Sequence, residues 1–405
     1  MSDLPYFTTT DKTLLKAQFT RDPLGVLPIW STIGRGLVPY LAGSVWQIDG
    51  IIAVMTIARL AEDRLHSQSD KNPVGFWRLM EGLVEYHLFL HERRKPCHGK
   101  QILAANGVEL EITIDETNSL CNGLRQYYRG TCVRAQMLDK AYRVSNAWCN
   151  TLDSIFKKQP QAIKTLASAL NKAMDGQNKL KPATHNNSLS PLWEAVFEND
   201  EIRTLLKKRL LGNEDQIEFA KCSAEATDDE IHARFETIKK AGKTETWSLH
   251  RELDAVFQCA PFISLLERLL DLLLALDGEN IQHATDRLSS TDLPDAGAQF
   301  LKLRDNHIAY NGQRFYTFFE LAEHAQAKQW ANLIEQLIRH HRKVTEERGR
   351  TPFLQIDNQE IVVATPIEGT IDELIEGLAS PIPWHYDFYA PVAGSIYKQL
   401  FGVKE

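Results

Sequence analysis

The chain has 405 residues, 43% of them hydrophobic and 24% charged, with a net charge of −7. That balance belongs to a folded globular protein and excludes both disorder throughout and a histone-like coat for nucleic acid, whose surface would have to be basic. At roughly 150 residues per domain the length predicts two domains, with enough chain to bury cores without disulfides or metal.

The charge is uneven. Residues 1–150 hold 17 Lys and Arg against 15 Asp and Glu, or +2, and residues 151–405 hold 29 against 38, or −9. Any nucleic-acid contact must therefore come from one local face. Six cysteines without a CxxC pair read as reduced thiols. The opening MSDLPYFTTTDKTLLK has acidic residues and no apolar core, so no secretory signal is expected. The apolar runs Ile51 to Leu60 and Leu269 to Leu276 are too short to span a bilayer. A cytoplasmic protein without membrane contact is the expectation.

Residues 20–50 are divided by Gly and Pro into short apolar pieces, which predicts an irregular layer before a first strong helix at 51–64. Gly34 and Gly36 form a GxG without the third glycine or a preceding strand, too little for a dinucleotide loop. Residues 75–94 place Trp77, Met80, Leu83, Val84, His87, Leu88 and His91 at helical intervals. Asn106-Gly107 then predicts a tight hairpin, because both central residues of a type I′ turn need positive φ. The same chemistry recurs at Asn311-Gly312 and, more weakly, at Asp357-Asn358.

From 117 to 174 the pattern is again helical, and the polar stretch 176–191 has no hydrophobic period, so it is the expected linker. Helices are predicted at 192–210, 213–224, 227–241 and 245–257. The strongest is 262–277, whose leucines leave only a narrow polar edge. The resulting expectation is a mostly α protein: an N-terminal helical domain with one hairpin (1–175), a linker (176–191), and a C-terminal α domain ending in a helix plus hairpins (192–405). A basic helix at 329–347 leading into a hairpin gives the C-terminus a winged-helix-like order, which is also a common way to close an α+β domain.

No high-specificity catalytic motif emerges. His87 and His91 lie four apart on a helix, with Cys97 and His98 following, but the HExxH glutamate is missing. The bland reading, a core histidine and a solvated one, is preferred, and a metal-dependent hydrolase using His87, His91 and His98 is kept as a third hypothesis. None of Glu109, Glu111, Asp115, Asp357 or Glu360 is followed two residues later by Lys, as restriction-type nuclease cores require. GxSxG and Walker A are absent. His385 and Asp387 read as closing a surface turn. No cofactor is called for.

The most specific surface is 121–143, where Arg125, Arg129, Arg134, Lys140 and Arg143 face the single acid Asp139 and interleave with Tyr127, Tyr128 and Tyr142. Arg125 and Arg129 share a helical face, so guanidiniums would hold phosphates while a tyrosine stacks on a base. A protein interface would use the same residue types. Arg339, Arg342 and Lys343 form a second basic segment, weakened by Glu346 and Glu347, which would repel a phosphate backbone. The leading expectation is a non-catalytic subunit of a nucleic-acid-associated complex, in a setting such as bacterial genome maintenance or antiviral defence. Its partners would be other protein subunits and DNA or RNA; the alternative is a helical scaffold that binds only proteins.

Overall fold

The computed structural model describes residues 22–177, 179–226, 228–242, 249–306, 313–364, 370–379, 384 and 386–402. It is mostly helical, with 72% helix and 4% strand. The chain forms two compact units: one contains the chain up to Gly36, Asp228–Lys240 and the segment ending at Phe388, and the other Leu37–Thr227 and the chain from Tyr389. Among the described residues no helix is long and apolar enough to cross a membrane.

The second unit is organised around two buried helices. Every residue from Ile48 to Ala58 of the Ile48–Arg59 helix is buried, and so is most of Pro73–Leu90, including the charged Glu81 and Glu85. A helix that is apolar on all sides belongs in a core rather than at a surface. Both pack against the Ser119–Arg134 helix. The Ile48–Arg59 helix runs into a π turn at Leu60–Arg64, beside which Arg59 makes a two-point bond to Asp153, at 2.8 and 2.7 Å. The Ala390–Phe401 helix lies against Glu214–Glu225. Gly394 permits that approach, since a Cβ there would come within 2.9 Å of the Ser223 backbone.

Several local expectations change. Leu27–Leu37, expected as irregular, is helical. Asn106-Gly107 does not turn a hairpin: Lys100–Asn106 is a helix, and Gly107, at φ 51°, follows as its cap. Glycine is the usual residue where a helix ends at positive φ, so the dipeptide is consistent with either outcome. Ile112–Thr113 pairs instead with Lys179–Leu180, antiparallel. The stretch expected as a linker, 176–191, carries that strand and the start of the Pro182–Phe197 helix. It lies inside the second unit, because Leu189, Leu192, Trp193 and Val196 bury the helix despite its polar first turns.

In the first unit, one 26-residue helix, His250–Ala275, replaces the two helices expected around Pro261. Its Phe262 meets Phe300, which in turn meets Phe318 and Phe319, giving an aromatic core. The hairpin Leu354–Asp357/Glu360–Val363 forms as expected, one residue later than the sequence suggested. Its turn residues are Asn358 and Gln359, at φ 48° and 72°, the two positive values of a type I′ turn. The third hairpin expectation, at Asn311-Gly312, lies outside the described residues, as does His385.

Candidate nucleic-acid interface

The Ser119–Arg134 helix starts at Asn118, whose side chain accepts from the Cys121 N–H at 3.3 Å. Arg125 and Arg129, one turn apart, project to one side. There both guanidiniums meet Tyr142, at 5.5 Å for Arg125 and 4.3 Å for Arg129 from the ring centroid. Arg125 also lies 5.9 Å from the Trp77 ring. Two cations thus share one aromatic ring. Neither guanidinium has an ion pair within 4 Å among the described residues.

Tyr142 is placed by its loop. Leu138 and Val144 bridge antiparallel, and the Asp139 carboxylate accepts from the backbone N–H groups of Ala141, at 2.7 Å, and Arg143, at 2.8 Å. This turn holds Tyr142 at φ 66°, a left-handed conformation uncommon for a bulky side chain. The lone acid of the stripe is therefore spent on the backbone. Its anionic oxygen sets the shape of the loop.

A groove of about 680 Å3 opens along this side, lined by Asn122, Arg125, Gln126, Arg129, Gly130, Val133 and Arg134. Behind it the buried carboxylate of Glu81 accepts from the backbone N–H groups of Leu124, at 3.0 Å, and Arg125, at 2.9 Å. Burial pushes Glu81 up to about 7, while those two N–H groups and the Arg125 charge pull the other way. Four residues on, the equally buried Glu85 accepts from Cys97 N–H, at 2.7 Å, and His98 N–H, at 3.0 Å. Burial takes it to about 8.

Not every residue of the sequence stripe belongs here. Tyr128 is only 1% exposed. It faces inward against Gly50, whose missing side chain leaves room for the ring, so it cannot stack on a ligand and is removed from the interface. Tyr127 is exposed but stacks on His98, at 4.9 Å, rather than joining the arginines. Arg134 lines the groove yet donates to the Leu41 carbonyl, at 3.3 Å, and to Thr131 Oγ1, at 3.2 Å. Lys140 and Arg143 are exposed on the loop. Trp77 was legible only as an apolar helix position, and nothing in its spacing marks it as a neighbour of Arg125.

Arg339, Arg342 and Lys343 are exposed on the Trp330–Glu347 helix of the first unit. Arg342 is paired with Glu346 at 2.8 Å. His340 and His341 are buried, donating to the carbonyls of Leu24, at 2.7 Å, and Pro23, at 3.2 Å. Burial lowers the pKa of both below the ordinary imidazole value. They add structure to this segment rather than charge.

The histidine cluster of the hydrolase hypothesis is not assembled. His87 contacts Ser190 Oγ at 3.3 Å, and burial lowers it to about 4. His91 lies 5.8 Å from it, ring to ring, whereas His98 stacks on Tyr127. Among the described residues no group of three or more His, Cys, Asp or Glu side chains is arranged to hold a metal ion. Compared with known proteins, the chain matches no family model, no curated protein and no solved structure.

Proposed function

We propose that the second unit binds nucleic acid through the groove of Arg125 and Arg129, and that the chain serves as a non-catalytic subunit whose partner chains supply bond chemistry. The observation that carries this reading is the convergence of two guanidiniums without carboxylate partners on the exposed side of one helix. Guanidinium forks match phosphate oxygens, and Tyr142 holds the two forks together beside the groove. The winged-helix order near the C-terminus adds little, since Asp357 and Glu360 flank the hairpin turn. Six free thiols suit a reducing cytoplasm, and a genome-maintenance or antiviral complex would provide the companions such a subunit needs.

The test is fluorescence anisotropy of labelled single-stranded DNA, single-stranded RNA and duplex DNA, titrated with full-length protein at several salt concentrations. Arg125→Gln with Arg129→Gln should weaken binding at least tenfold and flatten the plot of log affinity against log salt by roughly 1.4 for single strands. Absence of binding at about 50 mM salt, or indifference to the double substitution, sinks the proposal. A protein-only scaffold is the second reading. It is favoured by the loss of Tyr128 and the engagement of Arg134, which leave few free groups for phosphate.

A further inference from the structure

The second unit contains another concentration of positive charge, apart from the groove. Trp46, Asp49, Arg94, Arg203, Lys398 and Gln399 line a cleft of about 520 Å3, together with Arg93, Lys95 and Glu198. Arg94 bonds both acids of the cleft: it donates to Asp49 at 2.5 Å, to Glu198 at 2.7 Å and to the Phe197 carbonyl at 3.0 Å. Its side chain and that of Asp49 are only 8% and 10% exposed. Arg93, Lys95, Arg203 and Lys398 make no ion pair among the described residues. Arg203 also acts on both acids through space, yet five cations line the cleft against two carboxylates, and such an excess in a concavity concentrates anions there.

Trp46 gives the cleft a second chemistry. Its carbonyl accepts from Gln399 Nε2, at 2.8 Å, and Ser395 Oγ, at 3.0 Å. Two residues on, Ile48 N–H donates to Gln399 Oε1 at 2.9 Å. The backbone is thus clamped, yet the residue remains 45% exposed, although tryptophan is highly buried on average. An indole held beside free cations is suited to a ligand that is flat at one end and anionic at the other.

The geometry points to a nucleotide site, with the phosphate on Arg203 and Lys398 and the base on Trp46. A free nucleoside phosphate and one unit of a single strand present the same chemistry, and the cleft has the volume of a small-molecule site. This assignment does not rest on the Arg125–Arg129 groove, from which it can be separated by substitution.

The test uses full-length protein carrying Arg125→Gln and Arg129→Gln, so that residual binding reports the cleft. The probes are fluorescein-labelled dT15 followed by anisotropy and adenosine monophosphate followed by calorimetry, both at about 50 mM salt. Adding Arg203→Gln and Lys398→Gln should weaken binding at least tenfold, and Trp46→Leu roughly fivefold to a hundredfold. Lys398→Gln alone covers the case in which the double substitution lowers the melting temperature. Binding of both probes assigns a mononucleotide pocket, and binding of dT15 alone assigns one unit of a strand. The inference is overturned if neither probe binds, if the cleft substitutions change nothing, or if inorganic phosphate competes equally and Trp46→Leu has no effect.

Discussion

Arg129 lies over the ring of Tyr142, its guanidinium carbon 4.3 Å from the ring centroid, and Arg125 approaches the same ring at 5.5 Å. The pair depends on the loop anchored by Asp139, because only that loop holds Tyr142 at positive φ. Replacing Tyr142 with Leu should remove about 0.5–1 kcal/mol per cation–π contact. Chemical denaturation would measure that loss. Nucleic-acid affinity should fall with it, several-fold, as the arginines lose their common orientation.

Glu85 and Glu81 make stability depend on pH. Both bind a proton more tightly folded than unfolded, rising from an ordinary value of 4.5 to about 8 and about 7. Their contribution is complete at low pH and is lost as pH rises through those folded values. The buried histidines act oppositely: His87 falls from 6.5 to about 4, so its contribution is lost as pH drops through that range. Stability should therefore decline between pH 6.5 and 8.5, on the order of 2 kcal/mol. In Glu85→Gln most of that slope should vanish, and urea titrations at the two pH values would measure it; an unchanged slope would refute the assignment.

Arg94 joins two carboxylates to the Phe197 carbonyl from a nearly buried position. Substitution by Met leaves buried Asp49 without the guanidinium it bonds, at an expected cost of about 3–5 kcal/mol. The companion Asp49→Asn, Arg94→Met double variant should recover part of that loss. A double-mutant cycle in denaturant would establish the coupling.

Gly50 is the space that Tyr128 occupies. Gly50→Ala should force the ring out of its buried position and cost about 1–3 kcal/mol by overpacking. Gly50→Ala with Tyr128→Leu should be more stable than Gly50→Ala alone. Thermal melts of the unsubstituted protein and the two variants would decide whether this contact sets the cost.

The mostly helical character was legible in the sequence because spacing at three and four residues survives any tertiary arrangement, as in Trp77 to Leu88. The hairpin near Asp357 was legible for the same local reason, since its turn chemistry does not depend on distant chain. Arg125 and Arg129 could be placed on one helical face by counting alone. Tyr128, adjacent in sequence to Tyr127, could not be told apart from it, because only the packing of Gly50 makes one tyrosine core and leaves the other exposed. The same holds for Asn106-Gly107, which caps a helix, while the strand partner of Ile112–Thr113 is the distant Lys179–Leu180.

What the sequence by itself determined was which segments are helical, where one turn must form, and which residue types could meet an anion. What only the tertiary structure decided was which of those groups remain free. Pairing, burial and ring contacts arise between residues far apart in the chain, and one charge of opposite sign, such as Glu346 beside Arg342 or Asp49 beside Arg94, removes a cation from the surface.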